Sequence, residues 1–426
     1  MKNKKAISRL LSLILAAVMA LSLVSCVYYI PETDIPKTDT PETADNKYEK
    51  LDVLDQLFRD KTLFELDDEA LMDAILKGYI EGTGDKYAEY FTEEEYELYT
   101  SENRGELVGM GISVIENADR GLVEIINVFP DSPALEAGLM PGDFIVYVGF
   151  GENKTSVFEV GYTHALEIMK GVEGSIAEIT VERDGEEIDF SITRKKITTY
   201  SVSFRVCETD ESVGIVKITS FDLTTPKQFS EAVDALLAGG CDKFVFDVRY
   251  NPGGDLRSIK KVLAYFLSEG DIFIRTSDRN GNTKSQMIEP VEYTTTYSDY
   301  NITKEDIGKY RDLKFAVLVN GSTASAAELF TSALMDYGLS VTVGTNTYGK
   351  GTMQTTFSLA GYGYKGALKL TTQYYYPPFS DSYDGTGITP DCEVELDEAL
   401  ADKNIYKITD EEDNQLLAAI EELYKK

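Results

Sequence analysis

From about residue 196 the chain alternates between short runs of β-forming residues (GIVKI, KFVFDVR, KFAVLVN, VTVG) and stretches with helical spacing (TPKQFSEAVDALLAG, LRSIKKVLAYFLSEG, TASAAELFTSALMDYG). Elements in that rhythm bury their apolar faces together by stacking helices on a largely parallel sheet, so this half of the chain reads as α/β. Residues 105 to 195 carry a different rhythm. Apolar and polar residues alternate there over short runs (GISVIE, LVEIINVF, DFIVYVG, AEITVERDG, IDFSITR), with one helical pattern at THALEIMKG, which predicts a small β-rich module. Ahead of it, Leu51, Leu54, Leu57, Phe58, Leu71, Ile75, Leu76 and Tyr79 recur at helical spacing and predict two or three short helices. The chain closes on an acidic helical pattern, ITDEEDNQLLAAIEELYKK. A chain of 426 residues is long enough for several such domains.

The first 25 residues have the layout of an export signal: a basic head (Lys2, Lys4, Lys5, Arg9), the apolar run LLSLILAAVMALSLV, and then Leu23-Val24-Ser25-Cys26. That ending resembles the lipobox of bacterial lipoproteins, which implies cleavage before Cys26, lipidation of its thiol, and an extracytoplasmic, membrane-anchored position in the bacterial cell envelope. An uncleaved anchor is the alternative and tethers the protein facing outward as well; the apolar run is short for a bilayer span, which needs about 20 residues. Residues 26–48 mix Pro, Thr, Asp and Glu and read as a flexible tether.

Charge and cysteine usage exclude several function classes. Removing the four basic residues of the leader leaves 37 basic against 73 acidic residues, a balance of −36, and no Lys/Arg cluster remains to bind a phosphate backbone, so nucleic acid is not expected as a partner. Cys207, Cys241 and Cys392 are widely spaced, without a CxxC; they make neither a disulfide framework nor a zinc site, and buried apolar roles are expected, with one bridge left open. The only histidine, His164, falls in the β-rich module, which argues against a Ser-His-Asp triad, a Cys-His nucleophile and a histidine-based metal site.

Nucleophilic chemistry would then need Lys, Asp or Glu as its base, and a Ser-Lys pair is one known form. The α/β region offers two settings. The first is the small-residue turn at 321–327 between the strand pattern KFAVLVN and the helix pattern AELFTSALMDYG, where Ser325 can attack while the Ala326 amide holds a developing oxyanion; Ser322 and Thr323 fit capping equally well. The second is Tyr348-Gly349-Lys350-Gly351-Thr352-Met353-Gln354. A lysine between glycines can be drawn against a neighbouring backbone and away from water, and a base at pH 7 needs that, since neutralising an amine of ordinary pKa costs roughly 4 to 5 kcal/mol. Gly361 to Gly366 fits GxGxxG by letter, but the residues after Gly366 alternate as a strand rather than a helix, so a dinucleotide site is rejected.

These residues sit in strings that resemble one family. STASAAE at 322–328 and YGKGTMQ at 348–354 look like the S(A/T)SAxE and GKGxxQ motifs of the carboxy-terminal processing (tail-specific) peptidases, the S41 serine peptidases. The resemblance implies Ser325 as nucleophile, Lys350 as base and Gln354 as the residue that orients the lysine. Asp247-Val248-Arg249-Tyr250-Asn251-Pro252-Gly253-Gly254 is similar to the family's DxRxNxGG signature, and implies that Gly253 or Gly254 supplies the second oxyanion amide. Residues 84–92 resemble GDPYSxYLT with Lys86 in place of Pro, and Asp131 to Ile145 resembles the SPAxxAGLxxGDxI hallmark of PDZ domains. By the same resemblance, Gly109-Met110-Gly111-Ile112 is the loop whose amides receive a substrate's terminal carboxylate. ALKLTTQYYY and Gly387-Ile388-Thr389-Pro390-Asp391 match late fold elements, whereas Pro377-Pro378-Phe379 departs from the usual PxG.

The expected organisation is a leader (1–25), lipidated tether (26–48), helical segment (49–104), PDZ-like domain (105–195), peptidase core of crotonase-like and Clp-protease-like topology (196–403) and C-terminal helix (404–426). The expected function is a serine endopeptidase cleaving exported proteins near their C-termini. It would take proteins or peptides with free apolar tails, need no metal or cofactor, and remain compatible with a homo-oligomer. The main rival is a catalytically silent lipoprotein that binds tails through the PDZ-like domain. A crotonase-like enzyme acting on thioesters is a lesser one, disfavoured by export.

Overall fold

The computed structural model describes residues 48–117, 120–400, 403 and 407–425; the leader, Cys26 and the tether up to residue 47 lie outside the described residues. Two compact units divide the chain. One comprises Tyr99–Gly351 and Tyr374–Lys426, the other the described residues up to Leu98 with Thr352–Gln373. No helix among the described residues is long and apolar enough to cross a membrane.

The chain enters through α1 (Glu49–Lys61) and α2 (Asp68–Gly82), the latter started by Asp67, whose carboxylate accepts the amides of Glu69 and Ala70. The short strand β1 (Glu89–Phe91) and α3 (Glu93–Asn103) come next, and the unit boundary falls within α3.

The module at 105–195 contains β2 (Glu106–Gly109), β3 (Ile112–Asn117), β4 (Leu122–Val128), β5 (Phe144–Val148), β6 (Thr155–Ser156), β7 (Ile176–Arg183) and β8 (Glu186–Thr193). Its sheet runs β3-β4-β5-β7-β8, all antiparallel, with β6 attached to β5, while β2 pairs apart with β9 (Lys195–Thr198). Val123, Ile125, Ile145, Val148, Ile179 and Val181 form the core beneath it. Three short helices, α4 (Pro133–Ala137), α5 (Val157–Val160) and α6 (Tyr162–Met169), close the module, where the sequence pattern predicted one. Four- and five-residue helices are too short to show a 3.6-residue period; α4 depends instead on Ser132, whose hydroxyl accepts the Leu135 amide, and on Pro133 in its first turn.

The second six-stranded sheet and its helices are built from β10 (Val202–Val206), β11 (Val213–Ile218), α7 (Thr225–Ala238), β12 (Lys243–Asp247), α8 (Leu256–Ala264), β15 (Lys314–Val319), α9 (Ala326–Asp336) and β16 (Ser340–Gly344), while the hairpin of β13 (Ile272–Asp278) and β14 (Thr283–Met287), between α8 and β15, lies in a different sheet. After β17 (Thr352–Ser358) and β18 (Ala367–Tyr376), the short β19 (Cys392–Glu393) and α10 (Asn414–Lys425) complete it. The order is β10-β11-β12-β15-β16-β19, parallel except for antiparallel β10, as the α/β alternation requires of crossover-linked strands. Successive residues of its strands serve opposite layers. Phe246 and Phe315 meet Phe229, Phe266 and Phe330 of the helical layer, while Val245, Ala316 and Leu318 pack under Leu416, Ala419, Ile420 and Leu423 of α10. In the second unit β1 pairs antiparallel with β18, Phe91 opposite Ala367, and β17 also pairs with β18. Cys207, Cys241 and Cys392 are all free thiols, so the disulfide left open by the sequence does not form.

Candidate active site

β15 is buried along nearly its whole length and delivers the chain into the turn at 320–325. Side chains of the turn tie it down. The Thr323 hydroxyl donates to Val248 O (2.9 Å) and accepts the Asn320 amide (3.0 Å), the Ser322 amide donates to Asn320 Oδ1 (3.1 Å), and the Ala324 amide donates to Asn251 O (2.9 Å). Thr323 is thus spent on the turn, and the residue at the mouth of α9 is Ser325. Ser325 is fully buried and held at φ 56°, ψ −120°, a backbone conformation that a non-glycine residue keeps only where its surroundings over-determine it.

Glu328 joins this turn to the lysine loop. It is fully buried one turn into α9, and its Oε2 accepts both the Ser325 amide and the Lys350 amide, each at 2.8 Å. Those two nitrogens are therefore no further apart than twice that distance. Oε1 accepts the Gly349 amide (2.7 Å) and the Thr347 hydroxyl (2.6 Å), and the Tyr348 amide adds a bond to Thr323 O (3.0 Å). Burial pushes the Glu328 carboxyl up, and the donors from Thr347, Lys350, Gly349 and Ser325 oppose that.

Lys350 is 1% exposed, and close backbone approach on both sides explains its glycines. Gly349 has φ 86°, and a Cβ there would lie 2.7 Å from the Gly387 nitrogen; a Cβ on Gly351 would lie 2.7 Å from Asp384 Cβ. The 383–388 segment clamps the loop further, through Gly385 N to Gly349 O (2.8 Å) and Ile388 N to the Thr347 hydroxyl (2.7 Å), while the Tyr375 hydroxyl donates to Lys350 O. Gly387 and Ile388, read from the sequence as fold elements, thus hold the lysine loop in shape. At 377–379, where the family pattern is broken, the loop is anchored by the Phe379 amide on Asp336 (2.7 Å) and by Arg275 on Pro377 O (2.8 Å).

The turn after β12 completes the cluster. Asn251 donates to Ile218 O (2.9 Å) and accepts the Gly253 amide (2.8 Å) on its side-chain oxygen. A Cβ on Gly253 would lie 2.8 Å from both Ala326 N and Ser325 Cβ, and a Cβ on Gly254 would lie 2.0 Å from Phe221 O. The structure therefore brings Ser325, Ala326, Lys350, Gly253 and Gly254 together from three separate stretches of chain. A hydroxyl at a helix mouth among backbone amides, with a buried amine on the adjoining loop, is a constellation suited to acyl transfer.

Gln354, on β17 of the other unit, is fully buried and donates to the hydroxyls of Thr371 (3.0 Å) and Thr352 (3.3 Å). Gly109 to Ile112 spans the step from β2 to β3 in the β-rich module: Met110 O accepts the Ala134 amide, Gly111 O accepts the Phe129 amide (both 2.9 Å), and Gly111 has φ 90° with its Cα against Ser132. His164 is exposed on α6 and contacts Glu167. The sequence reading gave no role to Glu328, Asn251 or Thr347. The Ser325-x-x-Glu328 spacing of a capping box was the available signal for the first; nothing local marked the other two.

Residues 212–394 match the family model described as peptidase family S41. The chain is 28% identical over 355 residues to the carboxy-terminal processing protease CtpA of Bacillus subtilis (strain 168), an alignment covering 83% of this chain and 70% of that protein. It is 29% identical over 365 residues to the carboxy-terminal-processing protease of Bartonella bacilliformis, covering 84% and 77% respectively. Among solved structures, a candidate S41 protease from Bacteroides fragilis NCTC 9343 superposes with a TM-score of 0.52 at 18% identity, over 91% of this chain and 99% of that one, a likeness of fold.

Proposed function

We propose, from the match of residues 212–394 to the model of peptidase family S41 and the likeness to carboxy-terminal processing proteases, that this chain is a serine endopeptidase of that type in which Ser325 and Lys350 form the catalytic dyad. The observation that carries the reading is the Glu328 carboxylate, whose one oxygen ties the amides of both residues together. Ser325 Oγ attacks the scissile carbonyl and passes its proton to the neutral Lys350 amine, which returns it to the leaving amine; water then hydrolyses the acyl-enzyme by the same route. The Ala326 amide supplies one oxyanion donor. Since the Gly253 amide already donates to Asn251, we assign the second to Gly254. Gln354 is proposed to orient the lysine.

Substrate capture is assigned to a PDZ-like module at 105–195. Among the described residues β3 has a single partner in its sheet, which would leave one edge for an added strand, and the glycine turn at 109–111 opens that strand, where a free carboxylate would meet backbone amides. The proposed substrates are exported proteins with apolar C-terminal tails, met outside the cytoplasm by a protein lipidated on Cys26.

The test incubates the full chain with a peptide bearing a free apolar C-terminus, beside an amidated copy. Cleavage of the free peptide, slower cleavage of the amidated one, and loss of both in Ser325→Ala and Lys350→Ala are expected. A wild-type chain that binds the tail but never cleaves it is a receptor and overturns the reading.

A further inference from the structure

Arg249 lies two residues beyond the end of β12 and two residues before Asn251, which shapes the glycine turn. Its guanidinium is buried and every N–H is used. Nε donates to Asp247 Oδ1 (3.0 Å). Nη1 donates to Asp413 Oδ1 (3.1 Å) and Gln415 Oε1 (3.0 Å), and Nη2 to Asp247 Oδ2 and Asp413 Oδ2 (both 2.8 Å). Asp413 and Gln415 are themselves buried at the start of α10, where Asp413 also accepts the Leu416 amide (3.0 Å) and Gln415 donates to Val394 O (2.7 Å). The C-terminal helix is thus bolted to the strand end that leads into Gly253 and Gly254.

The residue between the two anchors is under strain. Tyr250 has φ 65°, with its ring exposed and its amide on Asn320 Oδ1 (3.0 Å), so nothing in its own side chain requires the left-handed conformation. Arg249 on one side and Asn251 on the other hold it there. Loosening Arg249 lets Tyr250 relax toward an ordinary negative φ and swings the following amides away from Ser325. We infer that Asp413, with Gln415, is a positioning residue for the oxyanion turn, acting through Arg249 from the C-terminal helix; the inference rests on the peptidase reading above.

The test measures kcat and KM of the full-length wild type, Asp413→Asn, Arg249→Lys and the double variant on the free-tail peptide, normalised to sites titrated with a fluorophosphonate. Asp413→Asn keeps the shape and one acceptor. It should lower kcat per titrated site about ten-fold while KM stays within about two-fold, because an oxyanion donor acts mainly in the transition state. The double variant should lose no more than the worse single one, as expected for residues acting as one unit. If Asp413→Asn does not fold, Gln415→Met should show the same pattern at about three-fold. An unchanged kcat per titrated site, or losses that multiply in the double variant, overturns the inference and leaves α10 a purely stabilising element. A wild type labelled no better than Ser325→Ala overturns the peptidase reading and the inference with it.

Discussion

Two glycine turns present backbone amides in this protein, and they are built in opposite ways. The turn at 251–254 leaves β12, a strand paired on both sides, and is pinned by Asn251, by Ala324 and by the fully engaged Arg249. The turn at 109–112 opens β3, which stands at the end of its sheet with β4 as its one neighbour there among the described residues. Holding a charge that exists only in a transition state needs donors that do not move, and a turn tied down by Arg249 and Asn251 at the end of an interior strand would provide them. Adding a substrate strand needs unpaired backbone, which only an edge can offer. On the function proposed above, the same residue type would serve preorganisation in one place and access in the other.

That contrast is broken most decisively at Glu328. Glu328→Gln puts an NH2 donor where a carboxylate oxygen accepts from two donors, so kcat should fall at least about 100-fold, since a charge-assisted hydrogen bond is worth about 1.5–3 kcal/mol, while tail affinity measured by fluorescence anisotropy stays unchanged. A kcat within about three-fold of wild type would mean that the centre is not held together through this residue.

Acid should weaken the centre through Asp247. Burial pushes its carboxyl up, but Arg249 and Lys217 outweigh that and hold it down at about 2, below the ordinary 3.8. A depressed carboxyl contributes stability that is fully present above its unfolded pKa and is lost as pH falls through the folded one, here about 2 kcal/mol lost between about pH 4 and pH 2. Urea midpoints across that window should fall less steeply in Asp247→Asn than in wild type; equal slopes would remove Asp247 from the account.

Gly111→Ala should have the smallest effect and the opposite signature. Its Cβ would meet Ser132 Cβ at 2.2 Å and its φ of 90° disfavours any side chain, so KM for the free-tail peptide should rise about ten-fold while kcat and the turnover of the amidated peptide hold. Equal losses on both peptides would show that the turn does not serve tail capture.

Read from the sequence alone, the periodicity of residues 213–344 placed β11, α7, β12, α8, β15, α9 and β16 in order, because alternating burial is a local property written into each segment. The same strings singled out Ser325, Lys350 and the 253–254 glycines. What local pattern did not carry is which groups meet across long stretches of chain. Arg249 and Asp413 are 164 residues apart, and Glu328 and Lys350 are 22 apart, yet the first pair anchors one turn and the second joins two loops. The proposed preference for Gly254 over Gly253 likewise rests on Asn251, whose side chain takes the Gly253 amide. A buried polar group must find its partners wherever the fold brings them, so composition and spacing determined the elements and the reactive residue types, and only the tertiary structure decided which carboxylate holds which amide.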